Sequence, residues 1–178
     1  MNINKKLLAL SVVLSAMSGC VIARADTHTL GLGYSQGKVN NFKNLRGVTA
    51  KYHYQPDGSL GFTGSLTYMG GSKGFDLDGD KANAQLKYYS LLVGPSYHVN
   101  EFVSLYGLAG VAQTKGKISG TDADGDNISF KDKESSFAYG VGVQISPAAN
   151  WSIDMGYEGS TAKNIKISGF NIGLGYRF

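Results

Sequence analysis

The final nine residues, Phe170-Asn171-Ile172-Gly173-Leu174-Gly175-Tyr176-Arg177-Phe178, alternate strictly between two kinds of side chain. Phe170, Ile172, Leu174, Tyr176 and Phe178 share one face; Asn171, Gly173, Gly175 and Arg177 share the other. A period of two marks a strand whose faces meet different surroundings. The second face decides what those surroundings are. Glycine dominates it, with one amide and one guanidinium, and such residues fit a narrow interior better than open water. The bulky apolar face is then left for lipid.

Reading backwards, the pattern returns. Trp151, Ile153, Met155 and Tyr157 alternate with Ser152, Asp154, Gly156 and Glu158. Phe137, Tyr139, Val141, Val143 and Ile145 alternate with Ala138, Gly140, Gly142 and Gln144. The run from Phe102 to Thr114 has the least clean parity, because leucine occupies both faces. Tyr89, Leu91, Val93, Tyr97 and Val99 oppose Ser90, Gly94, Ser96 and His98. Leu60, Phe62, Leu66 and Tyr68 oppose Gly61, Thr63, Ser65 and Thr67. Val48, Ala50, Tyr52 and Tyr54 oppose Thr49, Lys51 and His53, and Leu30, Leu32 and Tyr34 oppose Thr29, Gly31, Gly33 and Ser35.

These segments predict an all-β chain, an eight-stranded antiparallel transmembrane β-barrel over residues 26–178. A lipocalin-type barrel would turn the apolar face inward, and the glycine, serine and threonine of the other face argue against that. Tyr34, Tyr52, Tyr54, Tyr68, Tyr89, Tyr97, Trp151, Tyr157, Tyr176 and Phe178 stand at the edges of the apolar face, as in the aromatic girdles of a membrane barrel. Pro56 to Ser59, Asn100-Glu101 and Ser146 to Asn150 are short connections, expected on the periplasmic side. The odd-numbered connections are mostly longer, above all Gly70 to Ala84 and Lys115 to Lys133, and are read as external loops, four in all.

Composition agrees. Of 178 residues 25 are Gly and 3 are Pro, with 11 Tyr, 8 Phe and 1 Trp. Glycine at about twice its usual ~7% without a three-residue period excludes collagen, and the aromatics exclude a disordered linker. The lone Cys20 excludes a disulfide scaffold. Beyond the amino terminus no apolar stretch is long enough for a spanning helix.

Residues 1–25 read as a cleaved signal peptide. Lys5 and Lys6 form the positive end, Leu7 to Met17 the apolar core, and Ala23-Arg24-Ala25 the cleavage pattern. Met17-Ser18-Gly19-Cys20 loosely resembles a lipoprotein box, with Met where such boxes prefer Leu. Loss of Lys5, Lys6 and Arg24 removes most of the net charge of +4. The remaining near balance of charge gives no support to nucleic-acid binding.

Gly33-Tyr34-Ser35-Gln36, Phe42 to Val48, Ala50 to Tyr54, Gly94 to Tyr97, Ser104 to Gly107, Tyr139 to Gln144, Gly156-Tyr157-Glu158 and Gly173 to Phe178 together resemble the Ail/OmpX/PagC family of enterobacterial outer-membrane proteins. Phe42 to Val48 and Gly156 to Ser160 through Asn171 look most like the PagC branch. The resemblance spans essentially the whole chain after residue 25 and implies a multi-pass protein of the bacterial outer membrane. It implies a virulence-associated role in host-surface interaction, serum resistance or intracellular survival, carried by the external loops. A structural or stress-protective membrane protein is the alternative, and a lipid-modifying enzyme a more distant one. His53 and His98 stand where the family usually carries arginine.

Two sets of residues remain as sites. Lys51, His53, His98, Gln144, Asp154, Glu158 and Arg177 all fall on the inward face and predict a paired polar plug, because buried charges need partners. Lys38, Lys43, Lys73, Lys115, Lys117, Lys131, Lys133 and Lys163 fall in the outer segments, suited to lipopolysaccharide phosphates or anionic host molecules. Host extracellular-matrix or complement-regulatory proteins are partners that the resemblance implies; nucleic acid is not expected, and the protein is expected to be a monomer.

Other motifs fail on inspection. Asp76 to Asp80 and Asp122 to Asp126 mimic calcium loops, but Lys81 and Asn127 stand where an EF-hand needs Gly, and Lys87 and Lys133 where it needs Glu. They read instead as Asp-Gly turns. Gly31-x-Gly33 and Gly140-x-Gly142 complete no dinucleotide fingerprint. His28, His53 and His98 all lie toward the periplasmic end, away from any outer-leaflet substrate, so no enzyme, cofactor or metal is expected.

Overall fold

Eight antiparallel strands close into a barrel in the computed structural model, which describes residues 26–39, 44–77, 80–121, 127–162 and 165–178. They are β1 (Thr27–Val39), β2 (Leu45–Gln55), β3 (Leu60–Leu77), β4 (Asp80–His98), β5 (Val103–Thr121), β6 (Asn127–Ala148), β7 (Trp151–Ala162) and β8 (Ile165–Arg177). Each strand pairs with the next, and β1 pairs with β8 in a register that sets Leu32 against Leu174 and Gly33 against Gly173. At the seam, His28 N–H donates to the Phe178 carbonyl (3.1 Å) and Phe178 N–H to the His28 carbonyl (2.9 Å). Closure leaves no row of unpaired backbone groups facing outward along an edge.

The alternation of the sequence becomes an inside and an outside. On β8, Asn171 and Gly175 are buried while Ile172, Leu174 and Tyr176 are exposed. Across the barrel the exposed apolar side chains form one continuous outer belt, Leu174 being 60% exposed and Leu32 70%. Aromatics rim it. His28 packs against Tyr54 and Phe178 at ring separations of 5.1 and 5.9 Å, and Trp151 meets Tyr176 edge-on at 5.7 Å. At the opposite rim Tyr68 and Tyr89 lie 5.0 Å apart.

Tight turns join the strands at the first rim. Gly58 adopts φ 137°, a conformation favouring glycine, and Gln55 Nε2 donates to its carbonyl at 2.7 Å. Asn100 Oδ1 accepts from the backbone N–H groups of Phe102 and Val103, holding the β4–β5 turn.

The other end departs from the loop expectation. Gly70 to Ala84 and Lys115 to Lys133 are not loops: β3 and β4 stay paired to Leu77 opposite Asp80, and β5 and β6 to Thr121 opposite Asn127. These four strands run 18, 19, 19 and 22 residues, against 11 to 13 in the others. They therefore project as two long hairpins. Residues 70–84 and 115–133 carry no sustained apolar–polar alternation, yet the backbone ladder needs no such contrast to continue. The Asp-rich tips, with 78–79 and 122–126, lie outside the described residues. Ser146 to Asn150 is likewise shorter as a turn, since β6 continues to Ala148 through an irregular register after Ile145.

Strand β5 resolves its own ambiguity. Ser104, Tyr106, Leu108 and Ala112 are buried, while Leu105, Ala109 and Val111 face out.

Candidate functional site

The lumen is filled by side chains in three levels. Centrally, Lys51 on β2 reaches across the bore to Asp154 on β7. Between them, β1 and β8 contribute inward glycines, Gly31, Gly33, Gly173 and Gly175, which leave the bore open to the long ammonium stem. The Lys51 ammonium donates to Asp154 Oδ1, to the Tyr106 hydroxyl and to Asn171 Oδ1 (2.6 Å), which uses all three of its protons. Tyr106 in turn donates to Asp154 Oδ1 at 2.9 Å. His53 closes the cluster, with Nε2 lying 3.3 Å from Asp154 Oδ2 and Nδ1 2.8 Å from the Thr63 hydroxyl. A Cβ at Gly156 would stand 2.8 Å from Lys51 Nζ and 2.7 Å from the Tyr106 oxygen, so any side chain there would push the ends of the network aside.

A second level centres on Glu158. Its Oε1 accepts from Tyr88 (2.6 Å) and its Oε2 from Thr67 (3.0 Å). Because the carboxylate only accepts, Thr67 must take its own bond from Thr49 (2.9 Å), and Thr49 from Ser35. The result is a directed chain of hydroxyls around one side of the wall. Beyond it, toward the hairpins, Val39, Leu45, Met69 and Ile167 form a buried apolar cap.

The remaining inward candidates are spread along the bore. His98 bonds Ser104 near the tight turns, and Arg177 Nη2 donates to the Thr27 hydroxyl at 3.2 Å. Gln144 is buried on β6 directly opposite Asp154. The structure thus brings Lys51, His53 and Asp154 together and sets Glu158, His98 and Arg177 apart from them, on separate partners. Tyr106 and Asn171 belong to the Lys51 network and Tyr88 to the Glu158 network, and sequence reasoning picked out none of the three as a site. Parity counted back from Ser90 would have found Tyr88; the mixed leucines of β5 hid Tyr106.

Among the described residues, two spaces of about 10 Å³ each lie in the bore, one beside His53 and Asp154 and one between Lys51 and Glu158. Each is about the size of one water. Purified protein in a planar bilayer is therefore expected to show no stable unitary current, and reproducible ion-selective steps would contradict the filled bore.

Outside the wall, the basic candidates fall into groups. Lys38, Lys115, Lys117 and Lys133 are exposed on β1, β5, β5 and β6. Lys43 and Lys163 lie outside the described residues, as do the side chains of Lys73 and Lys131. Pairing adds one that sequence reasoning missed: Lys87 on β4 stands directly opposite Lys115, which stands directly opposite Lys133. Gln85, Lys87, Lys115, Lys117, Asp132 and Lys133 border a surface groove of about 430 Å³.

Known proteins share this architecture and sequence. The chain matches the outer membrane protein beta-barrel domain family over residues 7–178. The virulence membrane protein PagC of Salmonella typhimurium is 43% identical over 168 residues, 88% of this chain and 90% of that one. The attachment invasion locus protein of Yersinia pseudotuberculosis is 36% identical over 185 residues, covering 98% of each. The solved structure of Ail from Yersinia pestis, in complex with the heparin analogue sucrose octasulfate, superposes with a TM-score of 0.73 at 34% identity, covering 86% of this chain and 99% of that one. A closed eight-stranded barrel with its apolar belt outside and its charges inside, matched along nearly its whole length by these relatives, belongs to the Ail/OmpX/PagC family of outer-membrane proteins.

Proposed function

We propose that this outer-membrane protein is a virulence-associated surface protein that engages polyanionic components of host surfaces through its projecting hairpins. The carrying observation is the length of β3 to β6, which lifts paired strands with exposed lysines clear of the barrel while the bore beneath is filled. A plugged barrel leaves the outer surface as the part free to act. The names of the attachment invasion locus relatives, and the heparin analogue held by Ail, support a sulfated or similarly anionic partner. Serum resistance and survival inside host cells would use the same surface. Residues 1–25 serve in this reading as an export signal, removed after Ala25.

Replacing residues 70–84 or 115–133 by short turns tests the reading, the second removing the exposed Lys115, Lys117 and Lys133. Retention on immobilised heparin and adhesion to cultured host cells are both expected to fall several-fold, with the barrel still folded. Unchanged adhesion and serum survival after both replacements would instead favour a structural role in the membrane.

A further inference from the structure

At the tight-turn rim, His28 stands on the outward parity of β1, in line with Leu30, Leu32 and Tyr34, and directly opposite Tyr54 on β2. Three rings hold it: those of Tyr54, Phe178 and Tyr52, at 5.1, 5.9 and 6.1 Å. Its Nδ1 lies 2.7 Å from the Tyr52 hydroxyl. With that hydroxyl donating to Nδ1, Nε2 is left as an N–H donor. Among the described residues none accepts from it. Asp26 stands beside the same cluster, its Oδ2 accepting from the Tyr54 hydroxyl at 3.2 Å. A free donor and a carboxylate therefore flank Tyr54, and both His28 and Asp26 are half-buried rather than fully open to water.

Depth and chemistry narrow the occupant. Leu32 belongs to the apolar belt, and His28 lies four residues nearer the turns, about 13 Å of strand. That is close to the half-thickness of the hydrocarbon layer, about 15 Å. The cluster thus sits where phospholipid headgroups begin. An imidazole N–H suits a phosphate oxygen, and a carboxylate beside an aromatic face suits an ammonium. Phosphoethanolamine carries both groups, joined by a short ethylene link. A headgroup with phosphate alone would leave Asp26 as a repelling neighbour.

We propose that His28, Asp26 and the rings around them form a binding site for the phosphoethanolamine headgroup of a phospholipid in the periplasmic leaflet. Nε2 of His28 donates to the phosphate, Asp26 takes the ammonium, and Tyr52 fixes the imidazole for its task. The site lies at the barrel end opposite the hairpins assigned to host partners. Backbone hydrogen bonds run both ways between His28 and Phe178, so a headgroup held there anchors the end of the β1–β8 seam at a set depth.

NMR of the full barrel with isotopically labelled histidine tests this, in phosphatidylcholine nanodiscs to which phosphatidylethanolamine is added stepwise. The His28 Nε2 signal, assigned by its loss in His28→Phe, is expected to shift and to saturate while phosphatidylethanolamine is still the minor lipid. Its proton should then exchange with water several-fold more slowly. His53, buried in the bore, should not respond. Asp26→Asn is expected to raise the phosphatidylethanolamine fraction at half-saturation about twofold to fivefold, the worth of one exposed ion pair. Tyr52→Phe, which frees Nδ1, should raise it as well. A His28 signal indifferent to phosphatidylethanolamine, or titrations of both variants equal to that of the parent, would overturn the site. An equal response to phosphatidylglycerol would leave the ammonium without a part and overturn the headgroup assignment. The same shift from soluble phosphoethanolamine added to phosphatidylcholine nanodiscs would assign the cluster to a free solute and overturn the lipid assignment.

Discussion

Lys51→Met is expected to destabilise the barrel by about 3–5 kcal/mol, because it strands the buried Asp154 without its cation. Both groups are about 5–6% exposed, and the ammonium makes three hydrogen bonds that a thioether cannot make. The Asp154 carboxylate would keep Tyr106 and His53 as neighbours but lose its close ion pair. Urea unfolding of protein reconstituted in lipid vesicles measures the loss. A second variant separates charge from shape: with Lys51→Met and Asp154→Leu together, much of the stability should return, since a pair replaced as a whole leaves no charge unmatched. A Lys51→Met barrel as stable as the parent would mean that Asp154 finds its compensation elsewhere in the bore.

The second large effect belongs to the outer face. Leu174 lies at the seam between Leu32 on β1 and Ile153 on β7, in the middle of the apolar belt. Leu174→Arg should cost about 2–4 kcal/mol in a bilayer, the penalty for a guanidinium near the lipid midplane. In the same assay, Leu174→Ala should cost much less. Gly173→Arg fails for a different reason. A Cβ there would already stand 2.8 Å from the Leu32 carbonyl oxygen and 3.0 Å from Gly33 Cα, so the long side chain must force the seam apart. Insertion of Leu174→Arg as efficient as that of the parent would invert the facing of β8.

The facing itself was legible without coordinates. Alternation in β1, β2, β7 and β8 reports the difference between lipid and bore directly, and glycine on the inner face identifies the bore as narrow. The same logic failed in two places for one reason. Periodicity detects contrast between faces, so it went silent along residues 70–84 and 115–133, which carry no sustained apolar–polar alternation, and it blurred in β5, where Leu105 faces out and Leu108 faces the bore.

By itself, then, the sequence determined the barrel, its inside and outside, and the set of charges that must be buried. Partnership was decided only by the tertiary structure. Which residues meet across the bore depends on the register of all eight strands and on closure between β1 and β8, and no local pattern carries that information. Lys51 finds Asp154 from 103 positions away, with Tyr106 and Asn171 supplied by two further strands. Lys87, Lys115 and Lys133 look like scattered surface charges along the chain. They become a row only because turn lengths and strand pairing bring them to one level. A shift of one residue in any of those pairings would turn the lysine to the other face and dissolve both sites.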